Sequence, residues 1–378
     1  MAENMINTNV SELLDENKVE VEGVGRDTIT VPFNPNLIRI RRDPFTLGQL
    51  VDKMEHGEIR FDTPYQRKDN LWDVDKQSRL IESILLRLPL PVFYFDEADE
   101  ISQTWNVIDG LQRCSVFRNY IVDKNMKLSG LEFLTEYNDF SYESLPRELQ
   151  RRIIQTPLTI YVVENGTPDE VKYNIFKRIN TGGLILTPQE IRHAMNQGKA
   201  DDYIAMLAQK SSFKKATCYI IPTDRMEDQD FVTRFVAFYL LGEDAYQPDL
   251  DSFMTKGMAA IRKQTDEELG IMTDGFERAM QLAWRIFGND AFRKRYNDED
   301  RRRPLNKTLF EVLSVCFARL TDEQCGELNY NADEFKRRFR DLNWNDKFIY
   351  AITSGTGNKD SVRIRYAEIN RIITETLS

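Results

Sequence analysis

Asp109-Gly110-Leu111-Gln112-Arg113 follows the apolar run Trp105-Asn106-Val107-Ile108. A buried strand turning into a helix at that point would aim unpaired backbone N–H groups and the positive end of the helix at an anion. Gly110 lets a ligand approach the backbone, Gln112 offers a donor and an acceptor, and Arg113, one turn in, has the planar fork that grips phosphate. Asp109 suits such a seat as a helix cap or as a ligand of an intervening Mg²⁺ ion, because a bare carboxylate repels phosphate. A plainer reading stands beside this one: Asp at the N-cap with Gln at N3 is a capping box that any stable helix can use.

Two further polar clusters are candidates for the same site. Tyr65-Gln66-Arg67 lies in a polar stretch before a helix expected at 75–88; its arginine and amide can contact phosphate or base, and the alternative is a surface turn with Tyr65 packed down. Arg178, Asn180, Thr181 and Gly183 close a helix expected at 168–179. Asn and Gly at a helix end are ordinary C-cap residues, and glycines with free N–H groups also line anion-binding loops. Gln189, Glu190 and Arg192 on the next helix are weaker candidates. Within 75–88, Gln77, Arg79 and Glu82 either face the site or form a solvated face with one i,i+3 ion pair between Arg79 and Glu82. Trp72 and Cys114 are expected in the core, and His193, between Ile191 and Met195, as a packed or solvated side chain.

The elements that position these groups follow from hydrophobic spacing. Leu47, Leu50, Val51 and Met54 recur at helical intervals after Thr46, and Leu80, Ile81, Ile84, Leu85 and Leu88 make a second stripe that Pro89 and Pro91 end. Val92 to Phe95 and Trp105 to Ile108 read as buried strands around a polar turn, and Leu158 to Val163 as a third strand. Gly110 to about Val122 and 146–152 read as helices, the latter short and basic. Thr187-Pro188-Gln189-Glu190 starts another, with proline at N1 and an acid near the positive end. Beyond about 185 the spacing is helical almost throughout, at roughly 201–210, 228–241, 274–287, 305–319 and 333–340. The expected plan is α+β: a partly ordered arm over 1–43 containing the β-prone Thr28 to Val31 and ending in Arg39, Arg41 and Arg42, a mixed domain over 44–185, and a helical domain over 186–378.

Composition narrows the function. With 41% hydrophobic and 30% charged residues among 378, the chain is globular in type and long enough for two domains. It has no apolar run of membrane-spanning length and no secretory pattern at MAENMINTNV, so a cytoplasmic location is expected. Four scattered cysteines without a CxxC are expected as reduced thiols, and two histidines are too few for an HNH-type metal nuclease. No metal-ligand set is identifiable by spacing. A formal charge of −10 excludes a protein that coats nucleic acid non-specifically, though a local basic cleft fits. The arginine groups at 147–152, 293–303 and 336–340 can contact a nucleic-acid backbone or form solvated faces.

The segments TPYQRKDNLWDVDKQSRLIESILLRLPLPVFYF, WNVIDGLQR and FKRINTGGLILTPQEIRHA, in that order over roughly residues 46–200, resemble the N-terminal domain family of GmrSD-type restriction systems, within the wider ParB/sulfiredoxin-like fold. The family's usual DGQQR stands here with Leu111 in place of a glutamine, and the C-terminal SGTGNKDSVRIRY is similar to standalone members. The resemblance implies a nucleoside triphosphate of unspecified base, with Mg²⁺, bound and hydrolysed in defence against foreign DNA. It assigns Asp109, Gln112 and Arg113 to the chemistry, and Gly110, Arg113, Tyr65, Gln66, Arg67, Arg178, Asn180, Thr181 and Gly183 to the nucleotide. Leu111 removes one polar group that could orient water, so binding is the firmer expectation. Implied partners are the nucleotide, DNA and a partner nuclease or defence protein. The alternatives are a non-catalytic DNA- or protein-binding subunit on the same scaffold, or a nuclease acting through the DGLQR domain. Sulfiredoxin's own reactive cysteine and its His-Arg pair have no counterpart, which argues against peroxiredoxin repair.

Overall fold

The computed structural model describes residues 18–20, 38–61, 72–97, 104–179, 187–196, 198–297 and 299–378. Two compact units emerge, one ending at Met195 and the other comprising Asn196–Ser378 with the described N-terminal residues 18–20.

The first unit is built on a five-stranded mixed sheet: β1 (Ile40–Thr46), β2 (Ile59–Arg60), β3 (Phe93–Glu97), β4 (Trp105–Asp109) and β5 (Pro157–Val163), in the order β1-β5-β3-β4-β2. β1 and β5 are antiparallel, as are β3 and β4, while β5 with β3 and β4 with β2 are parallel. Arg41 and Arg42, expected at the end of an arm, are instead part of edge strand β1, and Arg41 is paired with Asp43 and Glu164. Thr28 to Val31 lies outside the described residues.

Alternation along the strands separates two faces. Phe93, Phe95, Trp105, Val107, Leu158, Ile160 and Val162 form one core with helices α1 (Leu47–Glu55), α2 (Val74–Leu85), α3 (Leu111–Phe117) and α4 (Arg147–Ile154). Thr46 caps α1 in a reciprocal capping box with Gln49, as its position before Leu47 leads one to expect. The helix expected from Gly110 to Val122 is α up to Phe117 and continues as a single π-helical turn over Arg118–Val122. On the opposite face Ile108 and Val163 pack with Tyr173 and Phe176 of α5 (Asp169–Ile179) and with Ile191 and Met195 of α6 (Pro188–Met195). That shared core explains why α6 belongs with the sheet and why the division falls after Met195.

Two details of α2 differ from expectation. It stops at Leu85, leaving Leu88 about half exposed instead of on the apolar stripe. Glu82 is not on a solvated face: it is buried, and its carboxylate accepts the backbone N–H groups of Glu132 at 3.1 Å, Phe133 at 2.7 Å and Leu134 at 2.8 Å. Arg79 pairs with Glu132 at 3.2 Å, not with Glu82. The expected i,i+3 pair gives way because three unpaired loop N–H groups beside α2 need an acceptor more than a solvated guanidinium does.

The second unit is helical: α7 (Lys199–Ala208), α8 (Ser211–Ala216), α9 (Glu227–Leu241), α10 (Leu250–Ile261), α11 (Asp266–Phe287), α12 (Lys307–Ala318), α13 (Asp322–Tyr330), α14 (Ala332–Leu342), α15 (Asp346–Thr353) and α16 (Lys359–Leu377). Residues of α9, α11, α12 and α16 share a single apolar core. At its centre Glu311 accepts hydrogen bonds from Arg365 Nε and Nη2 at 2.8–2.9 Å, and Arg365 Nη1 donates to the Thr356 carbonyl at 2.7 Å. The pair thereby anchors the SGTGNKDSVRIRY segment. Glu20 is bound to Lys294 at 2.5 Å and to Asn306 at 3.0 Å. No helix among the described residues is long and apolar enough to cross a membrane.

Candidate functional site

At the C-terminal end of β4 the chain turns into α3 through Gly110, whose φ of 103° lies in the left-handed region. A Cβ at this position would stand 2.5 Å from the Phe93 ring and 3.4 Å from Arg113 Nη2. Glycine is therefore required twice, for its backbone angle and for the close approach of Phe93.

Arg113 is 8% exposed, and its guanidinium lies 4.3 Å over the Phe93 ring. Nη1 donates to the Pro91 carbonyl at 2.5 Å, and Nη2 to the Val92 carbonyl and to Asp109 Oδ2, both at 3.1 Å. Burial lowers the pKa of Arg113, and Asp109 offsets part of that shift. The side chain thus ties the Pro91-Val92 turn to the junction and holds Asp109, whose carboxylate is a third exposed. Asp109 does not cap α3; Gly110 occupies the N-cap with no side-chain hydrogen bond. The capping-box alternative for these residues therefore does not describe the structure.

Gln112 faces another way. Its Oε1 accepts the backbone N–H of Trp72 at 3.2 Å, while Gln77 Nε2 donates to the Trp72 carbonyl at 2.6 Å and Gln77 Oε1 accepts from Asn119 at 3.2 Å. Both polar backbone groups of Trp72 are thereby pinned to the helices of the DGLQR segment and of α2. Trp72 packs on the core, as expected, with the Lys76 ammonium 4.8 Å over its ring. Tyr65, Gln66 and Arg67 lie outside the described residues.

Helices α5 and α6, which precede and follow the third motif in the sequence, pack on Ile108 of β4 from the other side of the sheet. Arg178 is exposed in the last turn of α5, and Asn180, Thr181 and Gly183 lie outside the described residues. Gln189, Glu190, Arg192 and His193 are all buried on α6, with Arg192 Nε donating to Gln189 at 2.8 Å. The helix start expected at Thr187 is present, and Thr187 and Glu190 close it as a reciprocal cap. Cys114 is fully buried, which pushes its thiol up to about 12 and makes it a core residue.

Two features on this face escape sequence reasoning. Asp96 of β3 and Lys172 of α5 form a buried ion pair at 2.5 Å. Burial raises the Asp96 carboxyl to about 6, against the opposing pull of Lys172. Tyr94, opposite Asp109 in the register, stacks on Tyr161 with ring centroids 5.4 Å apart. Burial, then Tyr161 and Asp109, raise the Tyr94 hydroxyl pKa. Strand alternation placed Tyr94 and Tyr161 on one side of the sheet; no local signal joins Asp96 to Lys172.

The first unit is an α+β domain in which Trp72 is tied to Gln112 of the DGLQR segment and α5 and α6 pack on Ile108 of β4. Residues 47–196 match the family model described as GmrSD restriction endonuclease, N-terminal domain. The first unit is thus a domain of that family, and the chain carries a restriction-system domain; nearly all of the helical unit lies beyond the match. No curated protein and no solved structure matches the chain.

Proposed function

We propose that the first unit is a nucleotide-binding and NTP-hydrolysing module of a restriction-type defence system, with the junction at Asp109 and Gly110 as one wall of the site. The observation that supports this is the packing around the end of β4: Gln112 of the DGLQR segment holds Trp72, and Ile108 packs against α5 and α6, the helices that precede and follow NTGG in the sequence. Asp109, half-buried and held by Arg113, is the carboxylate to meet a Mg²⁺ ion through water. Arg113 acts by positioning: its donors serve the Pro91 and Val92 carbonyls and Asp109. Tyr65, Gln66, Arg67, Arg178, Asn180, Thr181 and Gly183 supply the remaining nucleotide contacts in this reading. The helical unit senses DNA or engages a partner nuclease.

The internal commitment of Arg113 favours a second reading, in which the domain binds nucleotide or partner without turnover. The two are separated by measuring binding and phosphate release for each common nucleoside triphosphate with Mg²⁺, with and without DNA, in the wild type and in Asp109→Ala. Release abolished in Asp109→Ala supports hydrolysis, and binding without release supports the second reading. No binding of any triphosphate rejects both as nucleotide sites.

A further inference from the structure

A cleft of about 850 Å³ opens in the first unit between the end of α2, the turn after it, α4 and the start of β5. Four arginines, Arg87, Arg147, Arg151 and Arg152, line it against one carboxylate, Glu148, a net +3 in a chain of formal charge −10. Arg152 is held by the Leu85 carbonyl and by Glu148, and Arg147 by Gln150. Arg87 and Arg151 are exposed and make no side-chain hydrogen bond or ion pair among the described residues.

Arg87 also stands where a side chain is disfavoured. Helix α2 ends in a Schellman turn, with Arg87 N donating to Ile84 O and Leu88 N to Ser83 O, both at 2.9 Å, and Arg87 has a φ of 61°. Glycine is the usual residue at this position. An arginine kept there in a left-handed conformation, beside a cationic cleft, points to a role outside the fold's own stability.

The cleft reaches the sheet at the start of β5. Thr159 lines it, and Tyr161, two residues further along β5 on the same side, stacks on Tyr94 at an interplanar angle of 17°. Both rings are half-buried, and Arg42, opposite Tyr161 in the register, is exposed.

We propose that this surface binds a single-stranded segment of nucleic acid, with phosphates on Arg87, Arg147 and Arg151 and a base against the Tyr94–Tyr161 pair. A cationic cleft and an aromatic stack two residues apart on one strand suit a strand whose base faces are free, whereas a duplex hides them. An acidic peptide would engage the arginines and leave the tyrosines unused. Because the basic surface is local, the acidic remainder of the chain discourages non-specific coating.

The test is fluorescence anisotropy of the full chain, without nucleotide, against labelled oligo-dT and oligo-U of about 15 nucleotides, a duplex of equal length and polyglutamate, over roughly 50–200 mM salt. At least one single strand binds about tenfold tighter than duplex or polyglutamate. Arg87→Gly keeps or raises the melting temperature while weakening that binding about tenfold and flattening the logarithmic salt slope by about 0.7 per lost phosphate contact. Tyr161→Leu, with its melting temperature measured alongside, weakens binding and leaves the salt slope unchanged. The proposal is overturned if neither single strand binds, if duplex or polyglutamate binds equally well, or if Arg87→Gly and Arg151→Gln both leave binding intact.

Discussion

The guanidinium of Arg113 lies 4.3 Å over the ring of Phe93, the same ring that the Cβ of any residue but glycine at position 110 would strike. Two residues of the DGLQR motif are therefore fitted around a side chain that lies outside it. With Arg113 also bonded to the carbonyls of Pro91 and Val92, the motif works as a lock on the β3 entry.

Substitution of this lock is expected to be costly. Arg113→Lys retains the charge but not the fork, leaving the Pro91 and Val92 carbonyls without its paired donors, and should lose about 1–3 kcal/mol in urea unfolding. Asp109→Ala removes one half-exposed partner and should lose about 1 kcal/mol or less. Equal losses in the two variants would contradict the positioning role of Arg113.

Gln112→Ala removes the acceptor for the Trp72 N–H. A stability loss of about 1 kcal/mol is expected. If Gln112 joins the YQR-bearing stretch to the nucleotide wall, triphosphate affinity falls by a larger factor than the stability change accounts for. Calorimetric titration alongside urea unfolding compares the two, and unchanged affinity separates Gln112 from binding.

Glu82 is held below its ordinary value of 4.5: burial pushes it up, and the N–H groups of Leu134, Phe133 and Glu132 more than reverse that. Its contribution to stability is present above the unfolded value and disappears as pH falls through the lower folded one. Glu82→Gln should therefore be destabilised at neutral pH by about 1–3 kcal/mol, with the gap to wild type closing in acid. A gap that stays constant with pH would show that the charge of Glu82 is immaterial.

Asp96 shifts in the opposite direction, from 3.8 to about 6. The folded state holds its proton more tightly, so this contribution is complete below 3.8 and is lost as pH rises through about 6. Relative to Asp96→Asn, the wild type should lose up to about 1.4 kcal/mol per pH unit across that window. Parallel stability curves for the two proteins would rule out the shift.

Much of the fold was legible because hydrophobic spacing is a local quantity. Thr46 before Leu47, and Thr187 with Glu190, marked helix starts that the structure contains. The strands at β3, β4 and β5 followed from apolar runs bounded by turn residues. Leu88 was misassigned for a local reason as well: its spacing continued the stripe, but the chain had already reversed at Arg87.

By itself the sequence determined the α+β class, most of the helix positions, the three central strands, and the DGLQR segment at a strand-to-helix junction. These depend on side-chain period, capping chemistry and the backbone freedom of glycine, all of which act within a few residues. Only the tertiary structure decided that Glu82 serves a loop 51 positions away, that Gln112 reaches back 40 positions to Trp72, that Asp96 finds Lys172, and that Arg113 is spent on carbonyls of β3's approach. A polar side chain near a core takes whichever unpaired group packing brings within hydrogen-bond distance. Local spacing carries no record of that choice.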